Sequence, residues 1–375
     1  MITNYTPSRN PVSEYAYYLA KAVAEDTRVS DLHVLADRLT GQPKNTRIGN
    51  ITLIRCWDYD SLSIPVEITR AISTISIDYA WFNITLGSFG SSIANLTGLM
   101  TPLTLKRYGI RSIVTLHNLV DLIGNVKYQG GALTLWGARL ATKILCCTSL
   151  VCVLLPEYEE ILRTRYHAKN VVCMPHGTLG EVPPITQVNG KLPSKTLLSF
   201  GIYGTHKRLD TTLEAMKLVW ELDPSICLWI AGGSNSHNPD YLSILQAKYG
   251  NLPNVRFVGY VEEAKVPDLF AQVDAVILTN QSVGGESGSL VQAGMYGKPV
   301  ICTDLSLFRR KNQEGYVLDF FDVNNPLSIA DAISSLFASD PLRLAEIGTQ
   351  NREAATKHPM HKVAGMYVEQ LIRGL

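Results

Sequence analysis

The composition of this 375-residue chain predicts two domains with ordinary hydrophobic cores, because single cores usually stop growing well below this length. Apolar residues make up 46% of the sequence and charged residues 18%, and the net charge is only +1. This balance gives no support for a nucleic-acid-binding surface, which would need clustered Lys and Arg. A slight basic excess in the N-terminal half is compatible with an anionic acceptor or with peripheral membrane association.

Cysteine usage and the N-terminal sequence predict a cytoplasmic protein. The seven cysteines form no Cys-x-x-Cys pair, and six lie in or beside β-branched runs. We therefore expect buried, reduced thiols. The N-terminus MITNYTPSRNPVSEY has no apolar region of the signal-peptide kind. The longest apolar stretch is interrupted by Arg139 and Lys143, which indicates a helix and a buried strand in place of a membrane span.

In the first half of the chain, the earliest clear element is a helix over SEYAYYLAKAVAED, for which Ser13 is the predicted N-cap. Strands are predicted in the four segments ITLIRCW, SIVTLHN, LVCVLLP and NVVCMPHG. The segment 178–195, rich in proline and glycine, then interrupts the alternation and is predicted to be a hinge. We expect an N-terminal domain over 1–185 and a C-terminal domain over 186–357. A last helix at about 358–375 is expected to return to the first domain.

The second half alternates strands and helices more regularly. Strands are predicted in KTLLSFGIYG, ICLWIAGG, VRFVGYV, AVILTN and KPVICTD, with helical patterns between them. Strands with continuous apolar runs that alternate with helices indicate parallel sheets covered on both faces, an α/β doubly wound architecture. Ligands of such sheets lie beyond the carboxyl ends of the strands, so the residues that follow each strand are the informative ones.

The segment AVILTNQSVGGESGSLVQAGMYGKP reads as a strand, a glycine loop and a helix. Gly284, Gly285 and Gly288 would allow a ligand to approach the backbone, and Ser287 or Ser289 can cap the helix. A helix N-terminus favours an anion, so the loop predicts a phosphate site. The alternative is a plain loop before a capped helix.

Two further segments place polar side chains after strands. In FGIYGTHKRLD the strand is expected to end at Gly201, and Lys207 and Arg208 stand ahead of the next helix, where cations are unfavourable without an anionic partner. A solvated basic pair is the alternative. In SIVTLHN, His117 follows a buried strand directly, and it is either a site residue or a structural histidine. His176 also ends a strand but lies near the hinge.

Several other site types are not indicated by the sequence. The histidines show no metal-ligand spacing. No GxGxxG follows a strand, which disfavours a dinucleotide-dependent oxidoreductase, and no GxxxxGK[ST] occurs, which argues against a P-loop NTPase.

In their order along the chain, these segments resemble the retaining GT-B glycosyltransferases of family 4. The resemblance covers nearly the whole sequence, from NYTPSRNPVSEYAYYLAKAV through SIVTLHN, VVCMPHG and FGIYGTHKRLDTTLEAM to GMYGKPVICTD, which is its most specific part. It implies two Rossmann-like domains facing a central cleft. A nucleoside-diphosphate sugar (UDP-, GDP- or ADP-sugar) would be held mainly by the C-terminal domain. The acceptor, a glycan, a lipid-linked or a small-molecule hydroxyl compound, would be held mainly by the N-terminal one.

The resemblance also implies roles for individual residues, without a metal ion. Glu286, His117 and Lys207 would be catalytic, with Lys207 on the donor diphosphate and the other two near the reacting sugar. The remaining donor-binding positions are Gly201, Arg208, Gly259, Ser287, Gly288, Ser289, Leu290 and Gln292.

The sequence departs from the family pattern at several of these places. Ile202 occupies the position of a frequent arginine, and Arg208, which replaces a glycine, is suited to substitute for it. Gly284 and Gln292 stand where the family often has two glutamates; Gln292 is suited to bind a ribose hydroxyl. These changes keep two alternatives open: a GT-B sugar-nucleotide epimerase or hydrolase, and a catalytically silent GT-B scaffold that binds a glycan or a partner protein.

Overall fold

The computed structural model describes residues 1–8, 10–90, 93–119, 131–184, 195–235, 238–282 and 285–373. Most of the predicted hinge and the loop residue Gly284 lie outside these ranges. The chain divides into two compact units. The first comprises the described residues of 1–179, 284–286 and 358–375, and the second those of 180–283 and 287–357.

The strands of the first unit form two groups that the N-terminus connects. They are β1 (Leu32–Asp37), β2 (Asn45–Ile48), β3 (Ile51–Trp57), β4 (Ala80–Ile84), β5 (Ser112–Leu116), β6 (Leu150–Val153) and β7 (Val171–Cys173). The pairing orders are β1-β3-β2 and β4-β5-β6-β7, and β2 is antiparallel to β3 while the other pairs are parallel. Ile2 makes parallel bridges to both Leu35 of β1 and Phe82 of β4, and so joins the two groups.

Helices flank these strands. They are α1 (Ser13–Ala24), α2 (Ile64–Ile72), α3 (Ile93–Leu99), α4 (Thr101–Arg107), α5 (Gly131–Leu145) and α6 (Pro156–Thr164), with α14 (Met360–Arg373) from the C-terminal end of the chain. The last helix packs against α1. Its Tyr367 is fully buried, and its ring lies 4.7 Å from that of Trp81 between centroids.

The second unit is built on a parallel sheet. Its strands are β8 (Thr196–Tyr203), β9 (Cys227–Ser234), β10 (Val255–Gly259), β11 (Ala275–Leu278), β12 (Val300–Thr303) and β13 (Leu318–Phe321). They run in the order β10-β9-β8-β11-β12-β13. The order reverses between β8 and β11, which makes the carboxyl ends of these two strands the switch point at which ligands of such sheets bind.

The helices of the second unit alternate with the strands of this sheet along the chain. They are α7 (Leu209–Leu222), α8 (Tyr241–Tyr249), α9 (Val266–Ala271), α10 (Gly288–Met295), α11 (Ser306–Gln313), α12 (Pro326–Ala338) and α13 (Pro341–Ala355). One face of the core joins Leu213 and Met216 of α7 to Ile230 of β9 and Ile333 of α12. In the described part of the chain, no helix has the length and apolar character needed to cross a membrane.

The structure corrects several predictions. Ser13 is the first residue of α1 and not its cap, since its hydroxyl donates to the carbonyl oxygens of Ser8 and Asn10. Strand β8 continues past Gly201 to Tyr203, because β9 remains paired with it through Ser234. The expectation of buried cysteines is wrong for Cys147, which is exposed.

Candidate functional site

Near the carboxyl end of β8, the backbone at Gly201 has no side chain to cover it. Gly201 has a φ of +129°, a conformation that side chains rarely adopt. A Cβ atom there would lie 2.8 Å from Lys207 Nζ and 2.9 Å from Ser289 Oγ. The absence of a side chain at Gly201 therefore lets these two polar groups approach the strand.

Lys207 is held in this space by the chain that follows β8. Its Nζ donates to the carbonyl oxygen of Phe200 at 3.2 Å and lies 5.0 Å from the centroid of the Tyr203 ring. Lys207 also forms a bridge with Asn280 after β11, and its own carbonyl oxygen accepts from the Tyr241 hydroxyl at 2.6 Å. The residue is only 8% exposed, and burial lowers the pKa of its ammonium group to about 8.

The start of α10 provides the second polar group. Ser287 is the N-cap, and its Oγ accepts from the backbone N–H of Leu290 at 3.3 Å, as one of the two predicted caps should. Ser289 has a different partner: its Oγ donates to the carbonyl oxygen of Phe200 at 3.0 Å. Lys207 and Ser289 thus share one acceptor, and both lie beside Gly201.

This cluster of Gly201, Lys207 and Ser289, which we call the β8 cradle, has the chemistry of an anion site. A lysine ammonium and a hydroxyl converge next to a backbone position without a side chain, at the first turn of a helix. The positive end of a helix dipole and a charge-assisted donor both favour phosphate oxygens. The buried ammonium makes the electrostatic attraction stronger than it would be in water.

The other predicted donor-binding residues of this unit differ in their solvent exposure and in their bonding partners. Arg208 precedes α7, and its guanidinium is bonded to Asp210 at 3.2 Å and to Asn324 at 2.8 Å. Leu290 and Gln292 are buried within α10, and Gln292 is 3% exposed. Gly259 ends β10 with a φ of +80° and is exposed. The remaining position, Gly288, is the first residue of α10.

In the first unit, His117 occupies the predicted position after β5. Its Nε2 lies 2.8 Å from Oδ1 of Asn83, a residue of β4, and its ring meets the Tyr15 ring edge-on at 4.8 Å. Because the amide oxygen of Asn83 is an acceptor, Nε2 carries the proton and Nδ1 does not. Burial, with a contribution from nearby His176, lowers the pKa of His117 to about 3. The ring is therefore neutral at physiological pH.

The loop before α10 meets this histidine. Gly285 lies so close to β5 that a Cβ atom would come within 2.3 Å of the His117 carbonyl oxygen. Burial raises the pKa of Tyr15, and the neighbouring Glu286 carboxylate adds to that rise. His176, ranked lower from the sequence, packs on Tyr15 at 4.8 Å between ring centroids. The structure thus brings His117, Glu286 and His176 together around Tyr15.

Sequence reasoning missed the residues that position these groups. Tyr15 and Asn83 hold His117, and Tyr241 anchors the backbone at Lys207. The sequence pattern places Tyr15 in a predicted helix without a role and predicts no strand at the segment of β4, so neither contact could be anticipated. The one local sign of such a contact in the sequence is a tyrosine that lies among smaller apolar residues on the buried face of a helix. Among the described residues, no group of three His, Cys, Asp or Glu side chains could hold a metal ion.

Part of the chain is similar in sequence to known proteins. Residues 181–353 match the family model of glycosyl transferases group 1. The phosphatidyl-myo-inositol mannosyltransferase of Mycobacterium leprae (strain TN) is 31% identical over 153 residues, which are 40% of this chain and 39% of that protein. The chain therefore matches about two fifths of the length of this curated relative.

Two solved structures are similar over nearly the whole chain. Sucrose-phosphate synthase from Thermosynechococcus elongatus has a TM-score of 0.76 at 16% identity, covering 96% of this chain and 92% of that one. Anabaena HepE in complex with UDP and glucose has a TM-score of 0.71 at 14% identity, covering 99% and 98%. The protein thus has the GT-B fold, and its residues 181–353 are similar to the glycosyl transferases group 1 family.

Proposed function

We propose that this protein is a glycosyltransferase that moves a sugar from a nucleoside-diphosphate sugar to an acceptor hydroxyl group. The β8 cradle is the observation that carries the proposal, because Lys207 and Ser289 converge beside Gly201 at the switch point of a parallel sheet. Its position within the segment matched to glycosyl transferases group 1 supports a sugar diphosphate as the anion. A structural neighbour was solved with UDP and glucose, which makes a UDP-sugar the first donor to test, before GDP- and ADP-sugars.

In the proposed reaction, the bond between the anomeric carbon and the β-phosphate oxygen breaks. A bond from the acceptor oxygen to the same carbon forms, and the acceptor proton passes to the leaving diphosphate. Lys207 and the N-terminus of α10 neutralise the charge that grows on the diphosphate, without a metal ion. Retention of the anomeric configuration follows from the resemblance to family 4 and is part of the proposal.

Glu286 and His117 are proposed to orient the donor sugar. His117 is neutral and donates from Nε2 to Asn83, so its unprotonated Nδ1 is left as an acceptor for a hydroxyl group. A carboxylate beside a diphosphate would repel it, which makes sugar hydroxyls the fitting partners for Glu286. Gln292 lies in the second turn of α10, whereas Glu286 precedes the helix, and Gln292 is proposed to serve the ribose.

The acceptor is proposed to be a glycan, a lipid-linked or a small-molecule hydroxyl compound bound by the first unit. The Mycobacterium leprae relative is named for mannosyl transfer to phosphatidyl-myo-inositol, which supports testing a lipid acceptor among them. A cytoplasmic location, with peripheral membrane association for a lipid acceptor, belongs to the same proposal.

The decisive experiment measures turnover of UDP-, GDP- and ADP-sugars with an acceptor panel, for the wild type and Lys207→Ala. Loss of one charge-assisted contact costs about 1.5–3 kcal/mol, so we expect kcat/KM for the donor to fall about 10- to 150-fold. Lys217→Ala, an exposed lysine of α7 in the same unit, is the matched control and should be unaffected. A value within about twofold of wild type for Lys207→Ala would contradict the assignment.

The same assay separates the alternatives. Release of free sugar without transfer would indicate a hydrolase, and a changed sugar still attached to its nucleotide would indicate an epimerase. Nucleotide-sugar binding with no turnover of any donor would favour the silent scaffold.

Glu286 and Gln292 are distinguished by a pair of variants. Glu286→Gln should lower turnover strongly while leaving calorimetric binding of the free nucleoside diphosphate nearly unchanged, because that ligand has no donor sugar. Gln292→Ala should weaken nucleotide binding by about 1 kcal/mol, with a smaller effect on turnover at saturation. Full turnover in Glu286→Gln would reduce Glu286 to a loop residue.

A further inference from the structure

The first unit contains a cavity of about 350 Å³ between α5 and the turn that follows α6. The side chains around it that matter for the argument are Trp136, Arg139, Lys143, Arg165, Tyr166 and His167. Its volume lies in the range of small-molecule sites and would hold one monosaccharide unit with its substituents. No residue of the β8 cradle lines this cavity, and none of His117, Glu286 and His176 does.

One wall of the cavity is a single stripe of α5. Counted from Trp136, three lining residues follow at three, four and seven positions: Arg139, Leu140 and Lys143. They therefore project from the same face of the helix. Trp136 is 63% exposed. A helix face that turns toward a hydrophobic core would bury such a ring, so this stripe is not explained by packing of the unit.

The opposite wall is fixed by the turn between α6 and β7. Arg165 follows α6 directly, and the backbone N–H of Ala168 donates to the Leu162 carbonyl oxygen at 3.0 Å. His167 has a φ of +55°, which reverses the direction of the chain and sets Arg165 and Tyr166 against the cavity. A wall pinned by backbone bonds needs little ordering when a ligand binds.

The cavity concentrates positive charge in a protein that has almost none in excess. Arg139, Lys143 and Arg165 line it together with His167, and no acidic residue is among the described residues of its lining, while the whole chain carries +1. Guanidinium and ammonium groups are the usual partners of phosphate oxygens. Trp136 and Tyr166 add flat apolar faces with polar edges, which suit the C–H face of a sugar ring.

We propose that this cavity binds a phosphorylated saccharide, with the phosphate on Arg139, Lys143 and Arg165 and the sugar ring against Trp136. The site is separate from the proposed donor site. Strands β5, β6 and β7 are parallel, His117 follows the carboxyl end of β5, and the turn at 165–167 precedes the amino end of β7. The cavity therefore lies toward the opposite edge of the sheet from His117.

Other anionic partners fit the cavity less well. A nucleic-acid site would extend over several phosphates, and its affinity would come from a broad basic surface that the net charge of +1 does not indicate. A membrane surface is broad and flat, whereas this site is a concavity of small-molecule size between two walls. The inference does not rest on the proposed transferase activity, because it concerns binding alone.

The test is calorimetric titration of the full-length protein with glucose 6-phosphate, glucose and inorganic phosphate. We expect glucose 6-phosphate to bind with 1:1 stoichiometry and glucose alone not to bind. The double variant Arg139→Gln/Lys143→Gln should weaken glucose 6-phosphate binding at least about tenfold. Trp136→Ala should weaken glucose 6-phosphate while leaving inorganic phosphate unchanged. Lys106→Gln removes an exposed charge of α4 outside the cavity and is the matched control.

Three results would overturn the proposal. The first is the absence of glucose 6-phosphate binding up to about 10 mM. The second is a loss of that binding in Lys207→Ala, which would place the ligand in the β8 cradle. The third is binding of vesicles containing phosphatidic acid, lost in the double variant, when glucose 6-phosphate itself does not bind; this would reassign the cavity to a lipid headgroup. If Lys207→Ala still binds glucose 6-phosphate, the cavity is a site separate from the β8 cradle, whatever the outcome for the proposed transferase function.

Discussion

Lys207 carries its charge in a place where that charge is unfavourable. The side chain is almost fully buried, and burial lowers the pKa of its ammonium group from 10.5 to about 8. Phe200 supplies one carbonyl oxygen, which compensates only part of the lost hydration. An incoming diphosphate would supply the missing negative charge, so the free protein holds a cation whose full stabilisation awaits a ligand.

This environment predicts a proton linkage. Because the pKa of Lys207 in the free protein is about 8 and an adjacent diphosphate raises it again, binding at about pH 8.5 should take up protons, and nucleotide affinity should fall as pH rises through 8. Titration calorimetry in buffers of different ionisation enthalpy measures this uptake. Lys207→Arg is the control, because a guanidinium remains charged and should show none. Equal uptake in both proteins would show that another group titrates.

His117 illustrates how much of the site a sequence can reveal at the residue scale. Its place after a buried strand is a local feature, and the structure has it there. Its hydrogen bond and its ring contact are made with Asn83 and Tyr15, which are 34 and about 100 residues away along the chain, respectively. Such contacts are set by tertiary packing and leave no mark in the local pattern of hydrophobicity.

At the scale of elements, the approach of β8 and β9 shapes the β8 cradle. Gly201 is paired with Gly232, and a Cβ atom on Gly232 would lie 1.8 Å from the Gly201 carbonyl oxygen. Gly232 also has a φ of +135°. Both glycines belong to the strand ends that the sequence predicted. Strands β1, β2, β4 and β13 were not predicted, since their segments are short, mix polar and apolar residues or, like β4, are flanked by weak turn signals.

Neighbouring glycines of β9 should respond very differently to alanine. In Gly232→Ala the new Cβ meets backbone atoms that cannot move independently, and we expect a loss of unfolding free energy of about 3 kcal/mol or more. Gly233 has no atom within 4 Å of the Cβ position. Gly233→Ala should therefore stay within about 1 kcal/mol of wild type. Urea-induced unfolding measures both, and similar losses in the two variants would argue against the close approach at Gly201.

At the scale of the molecule, the chain leaves the first unit near residue 179, rejoins it briefly at 284–286 and returns to it at 358. The first unit is thus discontinuous in sequence, and α14 completes it against α1. The β8 cradle, by contrast, lies wholly within the second unit. Stability of the first unit and nucleotide binding by the second can therefore be perturbed separately.

Tyr367 provides the test of this separation. It is fully buried against Trp81, so Tyr367→Ala should lower the free energy of unfolding by about 3–5 kcal/mol. Calorimetric affinity for the nucleoside diphosphate should stay within about twofold, because no residue of the β8 cradle belongs to the first unit. Met366→Ala, the adjacent exposed position of α14, is the matched control for helix propensity. Tyr367→Leu keeps more of the buried volume and serves if the alanine variant does not fold. A tenfold loss of nucleotide affinity in a folded Tyr367 variant would show that the first unit contributes to the phosphate site, and the β8 cradle alone would then not account for nucleotide binding.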